Sequence, residues 1–328
     1  MARSVIRISR EAHTTVHELS WVVGRRGLLG SAVIRELAFR GGDPVTTRVQ
    51  WDGHGSVHAL DAFARSLQER DAPWRLIWCA GAGVVATAPA ALQQEVDLVQ
   101  AFFERLADRI SANPSGSPTS VFVASSAGGV YAGSANPPYD ENSIPSADSA
   151  YGKAKLSIER HAHTFHEHTG VPLLVGRIAN LYGPGQDLGK AQGLISRLCL
   201  SHITRQPLAI YVPLDSARDY LYVRDCARMM LDGLDQVRRV GGAHMKILAS
   251  QQSTTIAAIL GELRRVSRRK PVVVLGTHPL AHLQSRDLRF RSLVMTGIDR
   301  HASTTLATGV AATLESLHAL HRRGELHI

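Results

Sequence analysis

Hydrophobic and polar residues alternate in a repeating pattern along most of this chain. Short apolar runs bounded by turn residues are typical of buried strands, and longer stretches with apolar residues at helical spacing are typical of amphipathic helices. The pattern predicts strands at 19–23, 44–49, 75–82, 121–124, 171–182, 220–223, 246–250 and 271–276. It predicts helices at 31–41, 61–73, 88–110, 193–205, 254–269 and 301–324, and another that contains Tyr151 and ends at Gly170.

Strands and helices that alternate in this way indicate an α/β fold built on a doubly wound parallel sheet, the Rossmann arrangement. A glycine-rich turn lies between the first strand and the first helix, with Gly24, Gly27 and Gly30 at intervals of three. Such a turn lets the backbone approach a pyrophosphate at the helix N-terminus. The candidate cofactor contacts in this turn are Gly24, Arg25, Arg26, Gly27, Leu28 and Leu29.

The second strand carries a clue to which dinucleotide would bind. In dinucleotide-binding folds, an acid about 20 residues after the glycines binds the ribose 2′-hydroxyl of NAD. Here that position falls on Arg48, and the nearest acid, Asp52, comes four residues later. A guanidinium can bind a 2′-phosphate that a carboxylate would repel, and Arg25 and Arg26 could join it. We therefore expect NADP, with NAD as the alternative if these arginines face solvent.

These features suggest a division of the chain. Residues 19–176 form the dinucleotide-binding domain, which is completed by about 218–250. Residues 177–217 and 251–328 form a smaller, mostly C-terminal substrate-binding region. Residues 1–18 are polar and irregular and are expected to form a loose arm or an extra strand.

The central stretch of the chain carries the candidate chemistry. Ser125 and Ser126 end an apolar strand, and Tyr151 and Lys155 follow on a helix. A spacing of four places the phenol and the ammonium on one helix face. A nearby ammonium stabilises a phenolate, so this tyrosine could exchange a proton with a carbinol or carbonyl oxygen. A serine hydroxyl facing it could hold that oxygen as charge develops.

With SSAGGVYAG, YGKAKLSIE and RIANLYGPG in this order, the sequence resembles the extended short-chain dehydrogenase/reductases, in particular the nucleotide-sugar epimerases, dehydratases and reductases. The resemblance covers about residues 20 to 315. It implies that Ser126, Tyr151 and Lys155 are catalytic, with Ser125 as the alternative serine and a substrate contact. It further implies cofactor contacts at Ala80, Gly81, Ala82, Tyr151 and Lys155 and substrate contacts at Asn180 and Arg218.

Two departures from the family pattern matter for function. Ala127, Gly128 and Gly129 follow Ser126 where nucleotide-sugar 4,6-dehydratases carry an Asp-Glu pair. Because loss of water requires an additional acid and base, we do not expect a dehydratase. Glu95 stands where the family commonly has Asn, which leaves the local cofactor contacts open.

Three functional hypotheses follow from the resemblance. The first is an NADP-dependent reductase of a 4-keto group on a nucleotide-linked sugar, in which NADPH delivers hydride and Tyr151 donates the proton. The second is an NAD-dependent nucleotide-sugar 4-epimerase that uses the same residues. The third is a non-catalytic dinucleotide-binding protein, against which the intact Ser126, Tyr151 and Lys155 argue.

Composition and charge bear on the expected cellular location and binding partners. No apolar run approaches the roughly 18 residues that span a bilayer, and the N-terminus lacks a signal peptide's apolar segment. The net charge is +9, but the basic residues are scattered, so we expect no specific nucleic-acid binding. Three distant cysteines indicate reduced thiols, and the helix with four closely spaced histidines is expected to be solvated rather than metal-binding. We expect a cytoplasmic homodimer.

Overall fold

The computed structural model describes residues 18–51, 55–70, 72–190, 192–276 and 287–326. The arm predicted at 1–18 therefore lies outside the described residues except for its last position. Asp52 also lies outside them. The strands are β1 Leu19–Val23, β2 Asp43–Val45, β3 Trp74–Trp78, β4 Val121–Ser126, β5 Leu173–Ile178, β6 Asn180–Tyr182, β7 Leu208–Ile210, β8 Ala217–Tyr222, β9 Ala243–Leu248, β10 Ser253–Thr255, β11 Val273–Leu275 and β12 Asp287–Leu288. The helices are α1 Leu28–Phe39, α2 Gly55–Gln68, α3 Pro89–Ala112, α4 Ala127–Val130, α5 Ala150–Thr169, α6 Leu194–Thr204, α7 Val223–Val240, α8 Ile256–Ser267 and α9 Leu306–Arg322.

A six-stranded parallel sheet forms the centre of the molecule, in the order β2-β1-β3-β4-β5-β9. The chain turns from one side of β1 to the other between β2 and β3. In open α/β sheets, ligands bind beyond the carboxyl ends of the strands at such a switch point. The doubly wound parallel sheet predicted from the sequence is confirmed, and its topology directs attention to the loops after β1 and β3.

Apolar side chains cover both faces of this sheet. On one face α1 packs on β1 and β2 while α7 packs on β4 and β5, and on the other α2, α3 and α5 enclose a cluster of aromatic rings that includes Trp21, Trp78 and Phe102. The Trp78 and Phe102 rings stack with centroids 5.2 Å apart. Strands buried on both faces read as continuous apolar runs rather than as alternating ones, which is why the sequence pattern predicts them well.

A second layer covers the strand ends and is built mainly from the C-terminal part of the chain. β8 pairs with β6, β10 and β12, and β7 pairs with β11 in a small separate sheet. A third apolar cluster joins α6, α8 and α9. The strand expected at 220–223 therefore belongs to this layer and not to the central sheet. The edge strand β9 completes the central sheet, and α7 packs on its face.

A buried cation fastens the C-terminal segment to the central sheet. Lys246, on the edge strand β9, is fully buried, and its Nζ donates to Ser292 Oγ at 2.6 Å and to the Val294 carbonyl at 2.7 Å. Asp299 Oδ1 lies 2.8 Å from the same nitrogen. Glu141 supports this junction by accepting from the Ile247 amide at 2.9 Å. The charge of Lys246 is thus compensated inside the protein.

We predict that Lys246→Met will lower the free energy of unfolding by about 3 kcal/mol, because it leaves the Asp299 carboxylate without its cation. The control is Lys270→Met, which changes an exposed lysine in the same way. Denaturant unfolding of both variants measures the difference. Equal midpoints for the two variants would show that the buried ion pair does not stabilise this junction.

Candidate active site

The glycine-rich turn lies at the switch point of the sheet, between β1 and α1. Gly24 has φ +91°, and a Cβ there would lie 2.6 Å from the Ala80 amide nitrogen. A Cβ on Gly30 would lie 2.3 Å from the Gly24 carbonyl oxygen, so α1 packs directly on the turn. Gly27, the N-cap of α1, has φ −73° and room for a Cβ. Gly24 and Gly30 thus permit close packing within the fold, whereas the backbone at Gly27 is left open.

The same turn suits an anion. The first turn of α1 contains no acidic residue, and no side chain in the described part of the chain caps its amides. Unpaired amides at a helix N-terminus attract phosphate groups. Arg25 and Arg26 are exposed beside it, whereas Leu29 is buried in the core, so Leu29 could contact a ligand through its backbone alone. These residues fit the pyrophosphate of a dinucleotide.

The loop after β3 borders this turn, and Arg48 follows β2, the strand that pairs with β1. Arg48 is exposed and follows the short strand β2, and the described residues between that strand and Trp51 include no acid. Gly81 and Ala82 are also exposed, while Ala80 is half-buried against the Gly24 turn. The arginine and the loop are accessible to a dinucleotide.

Ser126 and Tyr151 approach each other across Gly129. Ser126 Oγ caps the short helix α4 by accepting from the Gly129 amide at 3.1 Å. A Cβ on Gly129 would lie 2.9 Å from two carbons of the Tyr151 ring and 3.3 Å from Ser126 Oγ. A Cβ on Gly152 would lie 2.1 Å from the Gly129 carbonyl oxygen, so α5 rests directly on the backbone of α4. The glycines bring the serine and the phenol to the same site.

Lys155 lies one turn after Tyr151 and is almost fully buried. Its Nζ is 5.6 Å from the centroid of the Tyr151 ring and donates to Glu95 Oε1 at 2.9 Å. Burial lowers the pKa of Lys155, but Tyr151 and Glu95 raise it by more, so that its pKa stands above the ordinary value. The lysine is therefore a charged ammonium beside the phenol.

Glu95 also belongs to the site, through contacts that were not predicted from the sequence. Its Oε2 accepts from the Ala82 and Gly83 amides, both at 3.1 Å, while its Oε1 binds Lys155. The departure from the family's Asn was visible in the sequence. The contact with Lys155 was not, because the two residues are 60 positions apart.

The structure separates the two candidate serines. Ser125 is buried, and its Oγ donates to Glu159 Oε1 at 2.5 Å. Glu159 also receives Arg177, whose Nη2 lies 2.7 Å from Oε2, and Arg177 Nη1 donates to the Tyr131 hydroxyl. Ser125 thus belongs to a buried polar network behind the site, which does not support it as a substrate contact. Glu159 was missed, although it lies one turn after Lys155 on the same face.

Arg218 and Asn180 lie in the second layer, Arg218 on β8 and Asn180 on the paired strand β6. The Arg218 side chain is half-buried and donates to the Ala217 carbonyl at 2.9 Å, and the described residues give it no ion pair. Asp219 accepts instead from the amide and hydroxyl of Ser250, and burial raises its pKa to about 6. Asn180 donates from Nδ2 to the Asp219 carbonyl at 3.0 Å. Arg218 is thus a cation available to an anionic ligand.

Comparison with known proteins agrees with this geometry. The model of the NAD dependent epimerase/dehydratase family matches residues 21–247. The chain belongs to this family. The recognition of the family from sequence and the parallel sheet that it implied are therefore confirmed.

Individual relatives match this family member over parts of their length. It is 31% identical over 120 residues to an uncharacterized UDP-glucose epimerase, YtcB, of Bacillus subtilis, which covers 37% of each chain. It is 26% identical over 154 residues to the dTDP-4-dehydro-6-deoxyglucose reductase of Escherichia coli, which covers 47% of each. The chain thus spans less than half of the length of these curated relatives.

Solved structures share the fold over nearly the whole chain. The UDP-glucose 4-epimerase of Thermotoga maritima, in complex with UDP-glucose, superposes with a TM-score of 0.77 at 19% identity, and covers 92% of this chain and 99% of its own. MoeE5, in complex with UDP-glucose and NAD, has a TM-score of 0.75 at 22% identity and covers 94% and 99%. At these identities the likeness concerns the fold.

Two further properties concern the described residues alone. Within them, no helix combines the length and apolarity needed to cross a membrane. The same part of the chain contains no group of three or more His, Cys, Asp or Glu side chains placed to hold a metal ion.

We predict that Ala substitutions at two glycines of the turn will affect different properties, stability in one variant and dinucleotide binding in the other. Gly30→Ala should lower the free energy of unfolding by about 2 kcal/mol, because its Cβ collides with the Gly24 carbonyl. Gly27→Ala should change it by less than about 0.5 kcal/mol. It should nevertheless weaken dinucleotide binding by about tenfold, or 1.4 kcal/mol. Unchanged binding to Gly27→Ala would refute the phosphate cradle.

Proposed function

We propose that this protein is an NADP-dependent oxidoreductase that reduces a keto group of a nucleotide-linked sugar, most specifically a 4-keto group. The convergence of Ser126, Tyr151 and Lys155 beside the glycine-rich turn carries this proposal. A phenol with a hydroxyl on one side and an ammonium on the other suits proton exchange at a sugar oxygen. The family membership supports the same class of chemistry.

Each of the three side chains has a distinct role in the reaction. Bound NADPH would supply the hydride to the carbonyl carbon. Tyr151 would donate its phenolic proton to the carbonyl oxygen as negative charge develops there. Ser126 would hold the same oxygen by hydrogen bonding, and Lys155 would stabilise the resulting phenolate and bind the nicotinamide ribose. No acid or base follows Ser126 in α4, so the site lacks the groups that a dehydration would need there.

The preference for NADP rests on Arg48. This exposed guanidinium follows β2, where an NAD-binding protein would carry a carboxylate. Arg25 and Arg26, exposed in the glycine-rich turn, would add positive charge for a 2′-phosphate. The solved neighbour MoeE5 contains NAD, and NAD remains the alternative cofactor.

The substrate assignment rests on Arg218. Its half-buried guanidinium could bind the diphosphate of a nucleotide sugar through two parallel charge-assisted hydrogen bonds. Asn180, held next to it by the Asp219 carbonyl, could present its amide oxygen to the sugar. Relatives that are named as UDP-glucose and dTDP-sugar enzymes support a nucleotide-linked substrate. We retain the expectation of a homodimer from the sequence.

A nucleotide-sugar 4-epimerase is the second candidate. Several relatives are named as 4-epimerases, and MoeE5 was solved with both UDP-glucose and NAD. Tyr151 would then remove and return the same proton while the sugar rotates between two hydride transfers. A non-catalytic role is disfavoured by the intact arrangement of serine, phenol and ammonium.

We predict that Tyr151→Phe will lower the turnover of a keto nucleotide sugar by about 10²- to 10⁴-fold, because it removes the proton donor. Dinucleotide binding should be retained, since the ring remains. The control is Tyr211→Phe, which changes an exposed tyrosine on the loop after β7. Steady-state kinetics and fluorescence titration measure both properties. Undiminished turnover in Tyr151→Phe would exclude the proposed chemistry.

We predict that the protein binds NADPH at least about tenfold more tightly than NADH, a difference of 1.4 kcal/mol. Arg48→Ala should remove most of this preference while leaving NADH affinity unchanged, because NADH has no 2′-phosphate. Arg264→Ala, an exposed arginine on α8, is the control. Fluorescence titration of cofactor-stripped protein is the measurement. A preference for NADH, or NAD retained through purification, would place the epimerase first.

A further inference from the structure

Glu95 connects three parts of the site. The carboxylate reaches from α3 to the ammonium of Lys155 on α5, and to the amides of Ala82 and Gly83 in the loop after β3. Its side chain is 18% exposed and that of Lys155 is 8% exposed, so this ion pair is largely shielded from water. A Cβ on Gly81 would lie 2.9 Å from Lys155 Nζ and 3.0 Å from Glu95 Oε1, so the loop closes over the pair.

Glu95 is the carboxylate in direct contact with this ammonium. Among the described residues, the other titratable groups that face Lys155 lie on its own helix: Tyr151 before it and Glu159 after it. Glu159 is engaged with Arg177 through two nitrogens, so its charge is compensated at the far side of the site. Burial by itself would lower the pKa of Lys155, and the partners that raise it include Glu95.

We propose that Glu95 is a positioning residue for the Tyr151–Lys155 pair, which fixes the ammonium beneath the loop after β3 and keeps it charged next to the phenol. This inference rests on the proposed function, in which that pair exchanges the proton. A negative charge beside the ammonium opposes the loss of its proton. Glu95 thereby extends to higher pH the range in which the lysine is charged.

The first test uses protein without cofactor or substrate, so that it does not depend on the reaction. The chain contains five lysines, and lysine Cε carbon-13 resonances report protonation of each amine. Lys155→Arg identifies the Lys155 resonance. In Glu95→Gln the amide oxygen can still accept from the loop, but the charge is lost. We expect the midpoint of the Lys155 resonance to fall by at least about one pH unit.

Two further variants separate charge from general disturbance of the fold. Asp97→Asn removes a carboxylate that is exposed on the same helix and is bound by Gln93, and it should leave the midpoint unchanged. Glu95→Asp keeps the charge on a shorter side chain and should give an intermediate midpoint. A Glu95→Gln midpoint equal to that of the wild type would overturn the proposal. So would a Glu95→Asp midpoint as low as that of Glu95→Gln.

The second test follows activity against pH. In Glu95→Gln the alkaline limb of the pH profile of turnover should move to lower pH, because Lys155 loses its charge at lower pH and then no longer stabilises the phenolate. Failure of the proposed function is recognised separately. A resonance shift in protein that turns over no nucleotide sugar would leave the electrostatic role intact and reject the reaction. An active Glu95→Gln enzyme with an unmoved profile would reject the role of Glu95.

Discussion

The contact between helix α5 and the short helix α4, which follows strand β4, is the interaction on which the proposed chemistry depends. Gly152 lies so close to the Gly129 carbonyl that no side chain fits between them, and the phenol of Tyr151 is thereby set beside Ser126. Behind this contact, Glu159 on α5 joins Ser125 on β4 and Arg177 on β5. A shift of this helix by one residue would move Tyr151, Lys155 and Glu159 off their common face together.

The polar groups in and behind this contact form two compensated pairs. Arg177 and Glu159 are both buried, and breaking such a pair typically costs 3–5 kcal/mol because one charge is left unpaired. The pair of Lys155 and Glu95 is slightly more exposed and lies at the site itself. The first pair thus anchors α5, and the second joins that helix to α3 and to the loop beneath which a dinucleotide would bind.

The sequence was sufficient to predict the central sheet, because its buried strands are short apolar runs and Gly24 and Gly30 mark the first turn. The proximity of Tyr151 and Lys155 could also be predicted, because residues four apart on a helix share one face. The sequence could not assign β8 to the second layer, because an apolar strand does not reveal its partners. Nor could it choose Ser126 over Ser125 by alternation alone. That distinction depends on Glu159, which sequence reasoning did not connect with the strand, and the contact of Glu95 with Lys155 is similarly non-local.

The most direct measurement of the central claim is the cofactor balance during turnover of a 4-keto nucleotide sugar. A reductase consumes one NADPH for each sugar that it reduces, because the hydride leaves the cofactor permanently. An epimerase returns the hydride and consumes none. We predict equal amounts of oxidised cofactor and reduced sugar. Interconversion of nucleotide-sugar epimers without net loss of added NADPH would contradict the account and identify the site as an epimerase.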